Sequence, residues 1–409
     1  MTTELREIEA GEWDTWFSQV ELAFGGVSEN VEERAFYAEV NEPDRTIAAR
    51  DGHRIVGTAG AFSFRIVVPG GAVVPAAGVT CVGVAPTHRR RGVLRAMMRR
   101  QLDDVRRRGE PLSVLLASEP DIYPRFGYGL GCAQLRAEID TDRVRLRLPA
   151  GAERIRFELA DPDEALADCE RIYARRVTAR PGLFERSPGW EARQVLDPPS
   201  ERDGASPLMC VLAYDGDELL GYARYAVAPN WTPAGPDGSV FLRDVEALTP
   251  AAYAALWDYL FAMSLTSTLR FRSRPVDDPL LHLVSDQRRC GFQVRDGLFV
   301  RIVDVAAALD ARTYAAPVRV VLDVADPFCP WNEGRWLLSG DARGAECKRT
   351  EEPADLLLGA SELGAVYLGG TSLASLAGAG RVTEVRPGAL AEASAAFLSP
   401  VAPWFSHGF

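Results

Sequence analysis

The stretch VGVAPTHRRRGVL, residues 82–94, joins an apolar strand to an amphipathic helix through a basic turn that contains one glycine. The first backbone N–H groups of a helix have no partner within the helix, and they lie at the positive end of its dipole. Such an end binds phosphate, while the arginines add positive charge and Gly92 lets the backbone approach a ligand closely. The stretch therefore predicts a polyanion site at the start of the helix.

Two common polyanion sites are excluded by what this stretch lacks. No Lys-Ser or Lys-Thr pair follows Gly92, which excludes a P-loop. The three-glycine spacing of a dinucleotide-binding turn is also absent. The pattern Arg89-x-x-Gly92-x-Leu94 resembles the pyrophosphate loop of GCN5-related N-acetyltransferases (GNAT), in which glycine or alanine is usual at the position of Leu94. The resemblance implies a coenzyme A site.

Strands and helices alternate on both sides of the basic turn. The uncharged run 66–87 raises the question of a membrane span, but proline and glycine at 69–71 and 75 break it, so two strands joined by a turn are predicted. After the turn, apolar residues recur at helical spacing at 94, 97, 98, 102 and 105, and the two methionines among them are interpreted as core. Further helices are predicted at 13–23 and 32–40, with strands at 46–50, 54–64 and 112–118.

A tyrosine follows the strand at 112–118, within EPDIYPRFGYG, residues 119–129. The GNAT resemblance implies that Tyr123 lies near the coenzyme sulfur and protonates the departing thiolate. A phenol with an ordinary pKa of about 10 is protonated at neutral pH and can serve as this acid. Simple packing of Tyr123 is the alternative. Tyr128 is the competing acid, although its Phe-Gly-Tyr context favours a strand position.

The resemblance becomes narrower when four segments are taken together. Residues 84–97, the corner 117–119, the segment 122–129 and DGLFVRI at 296–302 together resemble the enhanced intracellular survival (Eis) family of N-acetyltransferases. The length of 409 residues and the final phenylalanine also match this family. The likeness is strongest from residue 78 to residue 130 and weakest in the middle third of the chain.

The Eis resemblance implies an α/β (α+β) architecture, with tandem GNAT-like folds followed by a sterol-carrier-protein-like domain. We expect an acetyl-CoA-binding GNAT domain at 1–150, a degenerate GNAT-like domain without coenzyme at 151–295, and the sterol-carrier-protein-like domain with a catalytic C-terminus at 296–409. The middle region predicts helices at 163–178 and 250–265 and a hairpin around 215–217, but no basic glycine loop. The last region predicts helices at 306–312, 361–368 and 373–379 and strands at 318–324, 336–338, 346–350 and 355–358. A scaffold for the first domain's pocket is preferred to a lipid carrier.

The resemblance also implies which residues hold acetyl-CoA, the expected co-substrate. Backbone N–H groups at Val82, Gly83 and Val84 would polarise the thioester carbonyl and hold the pantetheine. The pyrophosphate would be held by Arg89, Arg90, Arg91, Gly92, Val93 and Leu94, and Ser118 is a further coenzyme-binding candidate. Direct transfer to a primary amine, on a small molecule or a lysine side chain, is the expected reaction. A covalent route through Cys81 is disfavoured, because no histidine is placed by the sequence to activate the thiol.

The general base is expected at the end of the chain. In the Eis family the α-carboxylate of the terminal phenylalanine, here Phe409, enters the active site and helps to deprotonate the acceptor amine. A carboxylate with a pKa near 3.5 is a weak base, so it would act through water or in a dry pocket. His407, with an ordinary pKa of about 6.5, is the rival base.

The identity of the acceptor is inferred from the residues that stand at the aromatic and acidic positions of the family's acceptor pocket. Phe24 and Phe36 align with aromatic positions that line the acceptor pocket. Gly26 and Gly408 stand where the family has acids, and both changes remove negative charge that would hold a polycation. These changes weaken the case for an aminoglycoside and favour a smaller or less charged amine.

Composition excludes several other classes of protein. The net charge of −11 argues against a nucleic-acid partner and suits a cationic acceptor. Seven scattered cysteines without C-x-x-C spacing are typical of a reducing compartment, and the four histidines have no metal-binding spacing, so no metal is expected. The polar N-terminus shows no secretory signal, and we expect a cytoplasmic protein without a membrane partner. The Eis resemblance further implies a hexamer. The alternative function is a non-catalytic lipid- or ligand-binding protein with a relic GNAT fold.

Overall fold

The computed structural model describes residues 3–9 and 11–409. The chain forms two compact units, each of which contains one seven-stranded sheet. Unit 1 comprises Met1–Cys132, Arg180–Ser187 and Gly297–Phe409, and unit 2 comprises Ala133–Ala179 and Pro188–Asp296. Strands and helices are numbered below along the whole chain.

Within residues 3–9 and 11–409, the first sheet of unit 1 has seven strands, and one neighbouring pair of them is parallel. Its order is β1-β2-β3-β4-β5-β16-β6, and the parallel pair is β4 with β5. The strands are β1 (Glu4–Glu7), β2 (Ile47–Asp51), β3 (Arg54–Val67), β4 (Val73–Val84), β5 (Leu112–Leu116), β6 (Gly129–Leu130) and β16 (Leu298–Ile302). The long uncharged run therefore forms two strands and a turn, as the sequence predicts.

Three helices accompany this sheet, and the third of them joins its parallel strands. They are α1 (Trp13–Ala23), α2 (Val31–Val40) and α3 (Val93–Arg107). The apolar side chains of α3 recur at helical spacing, and Met97, Met98 and Leu102 are completely buried. The two methionines are therefore core residues, as predicted. Burial of this face fixes the start of α3 beside the end of β4.

The C-terminal part of unit 1 forms a five-stranded sheet with four helices. The sheet order is β19-β18-β17-β20-β21. Its strands are β17 (Val318–Ala325), β18 (Gly334–Asp341), β19 (Gly344–Arg349), β20 (Leu356–Gly359) and β21 (Val382–Glu384). The helices are α7 (Val305–Asp310), α8 (Ala360–Tyr367), α9 (Leu373–Gly378) and α10 (Ala389–Phe397). The sequence predicted these elements except for β21 and α10.

Unit 2 repeats the strand plan of the first sheet. Its seven-stranded order is β15-β7-β14-β13-β10-β9-β8, and β13 with β14 is again the only parallel pair in it. The strands are β7 (Ala133–Asp140), β8 (Arg156–Ala160), β9 (Met209–Asp215), β10 (Glu218–Ala228), β13 (Gly238–Ala247), β14 (Thr266–Arg274) and β15 (Gln293–Asp296), with a separate pair formed by β11 (Trp231–Thr232) and β12 (Gly235–Pro236). The helices are α4 (Leu166–Arg176), α5 (Pro250–Phe261) and α6 (Leu280–Leu283). The predicted hairpin around 215–217 is β9 with β10.

Two strands pair across the domain limits that the sequence analysis expected at 150 and 295. The strand β7, expected in the first domain, belongs to the second sheet, whereas β16, expected in the last domain, lies between β5 and β6 of the first sheet. The expected domain limits at 150 and 295 thus differ from those of the compact units, because strand pairing joins residues that are far apart in the chain. Tyr128, favoured for a strand, lies one residue before β6.

No helix among residues 3–9 and 11–409 is both long and apolar enough to cross a lipid bilayer.

Candidate active site

The candidate site lies where β4 and β5 separate. These strands pair at three positions, from Ala76 with Leu112 to Gly78 with Val114. Beyond them a pocket of about 1150 Å³ is lined by residues 79–84 of β4 and by Leu116 and Ser118, which follow on the β5 side. Backbone groups of a strand that has lost its neighbour are available to a ligand.

A β-bulge shapes the wall of this pocket. Thr58 pairs with Gly83 and Gly60 pairs with Thr80, so two residues of β4, Cys81 and Val82, oppose one residue of β3. Cys81 has a φ of 52°, and the Thr58 hydroxyl donates a hydrogen bond of 2.8 Å to its carbonyl oxygen. A side chain at position 83 would place its Cβ 2.6 Å from the Cβ of Ala23 on α1. The close approach of α1 to the bulged strand therefore requires the glycine that the sequence provides at position 83.

The basic turn is open in front of α3. Gly92 caps the helix with a φ of 83° and supplies no side chain to its N–H groups, and a Cβ there would meet nothing within 4 Å in the part of the chain that the structure describes. Arg89 and Arg90 line the pocket, and neither forms an ion pair with any residue in the described part of the chain. His88 is held by Asp51 at 3.2 Å. Unpaired cations at an open helix start fit a diphosphate.

The corresponding helix of unit 2 has no such opening. The Thr249 side chain accepts a hydrogen bond of 3.2 Å from the N–H of Ala252, and Pro250 occupies the first turn of α5. A hydroxyl and a proline thus occupy positions where α3 presents free N–H groups. This capped helix start agrees with the absence of a basic glycine loop from the sequence of the middle region.

Tyr123 lies against the pocket with its hydroxyl available. The side chain is 9% exposed, and its ring centroid lies 5.8 Å from that of Tyr128. Burial, followed by the negative charge of Glu119, raises the pKa of Tyr123 to about 12. Among residues 3–9 and 11–409 its hydroxyl has no hydrogen-bond partner, whereas the Tyr128 hydroxyl shares a buried hydrogen bond of 2.7 Å with Ser113. Tyr123 can therefore donate a proton into the pocket, and Tyr128 is already engaged.

The last residue of the chain reaches the same pocket. Phe409 lines it, and its ring lies 4.9 Å from the ring of Phe64 and 5.7 Å from that of Phe184. Gly78 makes room for this arrangement, because a Cβ there would approach Phe64 to 2.4 Å and Phe409 to 3.3 Å. The predicted acid and the predicted terminal base thus line one cavity.

Most of the predicted site residues line this pocket. They are Phe24, Val82, Gly83, Val84, Arg89, Arg90, Gly92, Val93, Leu94, Ser118, Tyr123 and Phe409. Three predicted residues do not line it. His407 packs against Phe64 and Phe184, and its Nδ1 lies 3.2 Å from the carbonyl oxygen of Gly408. Phe36 is buried beside Tyr37, and the side chain of Arg91 is turned to solvent. The structure thus gives these three no contact with the cavity.

The thiol of Cys81 is poorly suited to act as a nucleophile. Cys81 lines the pocket, but burial raises the pKa of its thiol to about 11. The thiolate is the reactive form, and less than about 0.1% of such a thiol is ionised at pH 7.5. This agrees with the sequence argument against a covalent route.

Sequence reasoning missed an acidic and aromatic part of the pocket. Phe17 and Glu21 of α1 line it beside Phe24, which the sequence did predict, and Tyr37, Glu29 and Glu119 line it from other segments. The spacing of four residues on α1 is helical, so the shared face was visible in the sequence. No local signal shows that this face turns towards a pocket. That placement depends on the packing of α1 on β3 and β4.

The protein families that match this chain cover the regions of the two seven-stranded sheets and the C-terminal region. The description Acetyltransferase (GNAT) domain matches residues 4–131 and, through a second profile, residues 182–302. The description Sterol carrier protein domain matches residues 305–406. Together with the pocket, these matches define an N-acetyltransferase with two GNAT folds and a sterol-carrier-protein-like domain.

Individual relatives narrow this class. The chain is 59% identical to an uncharacterized N-acetyltransferase of Streptomyces avermitilis over 409 residues, covering 100% of both chains. It is 34% identical to N-acetyltransferase Eis of Mycobacterium tuberculosis over 376 residues, covering 88% of each. The crystal structure of Eis1 from Mycobacterium abscessus matches with a TM-score of 0.84 at 32% identity, covering 100% of both chains. The protein belongs to the Eis family of GNAT N-acetyltransferases. These findings favour an enzyme over the non-catalytic binding protein that the sequence left open.

Proposed function

We propose that the protein transfers the acetyl group of acetyl-CoA directly to a primary amine, on a small molecule or on a lysine side chain. The observation that carries this proposal is the pocket, which is lined by the open basic turn, the bulge of β4 and Tyr123. Coenzyme A has phosphates at one end and a reactive thiol at the other. The pocket offers arginine side chains for the phosphates and a proton donor, Tyr123, for the thiol end.

In this proposal each part of the pocket has a separate task. Arg89, Arg90 and the N–H groups that follow Gly92 bind the diphosphate, and the backbone of 82–84 holds the pantetheine and polarises the thioester carbonyl. The amine lone pair attacks that carbonyl, and the Tyr123 hydroxyl protonates the departing sulfur. Because its pKa is about 12, Tyr123 still carries its proton throughout the neutral and mildly alkaline range.

The proposed base is the carboxylate of Phe409. An amine must lose a proton to attack, and a carboxylate at the pocket wall can accept it directly or through water. The ring of Phe409, packed between Phe64 and Phe184, holds the group in place. His407 is the second candidate; it packs on the same two rings but is not among the residues that line the pocket.

The proposed acceptor is an amine with one or two positive charges and an apolar or aromatic portion. Glu119 lines the pocket and forms no ion pair among the described residues, so its charge is available to an ammonium group. Glu21 is instead neutralised by Arg34 at 3.1 Å. Phe17 and Phe24 supply apolar surface. With glycine at 26 and 408, this lining favours an arylalkylamine or a short polyamine over a polycationic aminoglycoside.

The test is thiol release from acetyl-CoA with a panel of arylalkylamines, polyamines, lysine peptides and aminoglycosides. The 409-residue chain with an N-terminal tag is compared with a chain extended by three residues after Phe409. Turnover that collapses in the extended chain supports the donor and the terminal base. Turnover that survives the extension keeps the donor and discards the base. No turnover with any amine, together with no binding of coenzyme A in calorimetry, overturns the proposal.

Two further expectations belong to this proposal. The Eis resemblance implies a hexamer, which light scattering on the purified protein tests, and a monomer mass would contradict it. The seven cysteines are all free thiols in the structure, which suits the expected cytoplasmic location.

A further inference from the structure

A short segment of the chain leaves unit 2 and joins the first sheet of unit 1. Residues 180–187 belong to unit 1, although the chain on both sides of them belongs to unit 2. They run antiparallel to the end of β3, where Phe184 pairs with Ile66. The N–H of Val67 donates to the carbonyl of Leu183 at 2.8 Å, and the N–H of Gly182 donates to the carbonyl of Val67 at 2.8 Å. This segment, residues 180–187, is called the strap below.

The strap also binds the last residues of the chain. The N–H of Trp404 donates a hydrogen bond of 2.9 Å to the carbonyl of Pro181, and the guanidinium of Arg180 donates to the carbonyl of Ala402. The ring of Phe184 lies 5.7 Å from the ring of Phe409. The strap therefore connects the end of β3 to the chain end through two hydrogen bonds and one ring contact.

We infer that the strap is a positioning element that fixes Phe409 at the pocket wall, an inference that rests on the proposed role of the terminal carboxylate. Its hydrogen bonds anchor residues 402–404, so only four residues, 405–408, lie between the anchor and Phe409. The ring of Phe184 then fixes the direction of that short remainder. In this scheme neither the backbone of the strap nor the ring of Phe184 touches the reacting atoms, and both act through Phe409.

Gly182 is the most sensitive position of the strap. Its φ of 91° is in the left-handed region, and a Cβ there would lie 2.7 Å from the carbonyl oxygen of Trp404. Replacement by alanine must therefore push the tail away from the strap. Gly11 has the same φ of 91°, and a Cβ there would meet no atom of the described residues within 4 Å. Gly11→Ala thus reproduces the backbone strain without the clash and is the matched control.

The first measurement is release of Phe409 by a carboxypeptidase that prefers aromatic C-terminal residues. Proteolysis of a transiently opened end follows the population of the open form, so loss of the strap contacts is expected to raise the rate in Gly182→Ala by at least about fivefold. Gly11→Ala is expected to match the wild type, and all three proteins must cleave equally in urea. A rate in Gly182→Ala below that threshold overturns the inference, whether or not acetyl transfer occurs.

The second measurement separates positioning from stability. Phe184→Leu removes the ring above Phe409 and keeps the backbone of the strap, and it carries the test if Gly182→Ala does not fold. The control is Phe157→Leu in unit 2, where the ring packs on Tyr259 at 5.0 Å. At equal melting temperature, Phe184→Leu is expected to release Phe409 faster and to lower kcat without changing KM for acetyl-CoA. If the wild type acetylates amines and Phe184→Leu keeps its full kcat and its resistance to the protease, the strap does not position Phe409.

Discussion

Replacement of Tyr123 by phenylalanine removes one oxygen atom and leaves the ring in place. Because the hydroxyl has no hydrogen-bond partner among the described residues, no internal bond is lost, and the ring keeps its contact at 5.8 Å with Tyr128. The free energy of unfolding should therefore change by less than about 0.5 kcal/mol. A loss of turnover in Tyr123→Phe then reflects the missing hydroxyl group and not a loss of folded protein.

The expected loss of turnover follows from the role of a general acid. Such a group contributes about 10²- to 10⁴-fold, so kcat of Tyr123→Phe should fall by this factor, or by about 3–5 kcal/mol of activation free energy. KM for acetyl-CoA should change little, because the hydroxyl acts on the departing sulfur and not on the phosphates. Initial rates of thiol release over a range of acetyl-CoA concentrations measure both quantities.

The pH profile adds an independent check on Tyr123. A general acid works only while protonated, so its loss of a proton lowers kcat as the pH rises through its pKa. With a pKa of about 12, only about 1% of Tyr123 is ionised at pH 10, whereas an ordinary tyrosine is half ionised there. Wild-type kcat should therefore show no fall assignable to this group up to pH 10.

The matched control is Tyr128→Phe. It breaks the buried hydrogen bond to Ser113 and should cost about 0.5–1.5 kcal/mol of stability, with kcat within about threefold of the wild type. The reasoning is refuted if Tyr123→Phe keeps more than half of the wild-type kcat, or if the two variants lose kcat equally.

Three further predictions concern the coenzyme site and the core. Glu110→Gln should lower the free energy of unfolding, measured by urea titration, by about 3–5 kcal/mol, because it breaks the buried ion pair with Arg45 at 2.7 Å. The control is Asp44→Asn, which breaks an exposed ion pair with Arg108 and should cost less than about 1 kcal/mol. Arg90→Gly should weaken coenzyme A binding and its salt dependence in calorimetry without lowering the melting temperature, because glycine adopts the φ of 62° freely. Cys81→Ala should retain most of kcat, and an inactive but folded Cys81→Ala would revive the covalent route.

Local elements were predictable because local chemistry specifies them. The apolar spacing of α3 and the alternation of β9 and β10 around a tight turn can be read directly from the sequence, and α1 spans the predicted residues 13–23. The helix α10 was missed, although its alanine-rich sequence after Gly388 carried the signal. These elements depend on neighbours within a few residues, which is why a sequence pattern suffices for them.

Long-range pairing was not predictable in the same way. Nothing local in the sequence of β16 shows that it inserts between β5 and β6. Likewise, nothing in the sequence around Phe36 or His407 shows that these side chains do not line the pocket. The basic turn and Tyr123 were found because each sits beside a recognisable strand or helix. The strap was missed, since its partners are the end of β3 and the last residues of the chain.

The insertion of β16 also determines when the first sheet can form. The strand that lies between β5 and β6 is synthesised only after the whole of unit 2, from Ala133 to Asp296, has been translated. At about 5–20 residues per second, a nascent chain waits on the order of 10–30 s with the β5 edge unpaired. The N-terminal GNAT sheet is thus completed late in synthesis, and a fragment that ends near residue 131 exposes a strand edge that is prone to aggregation.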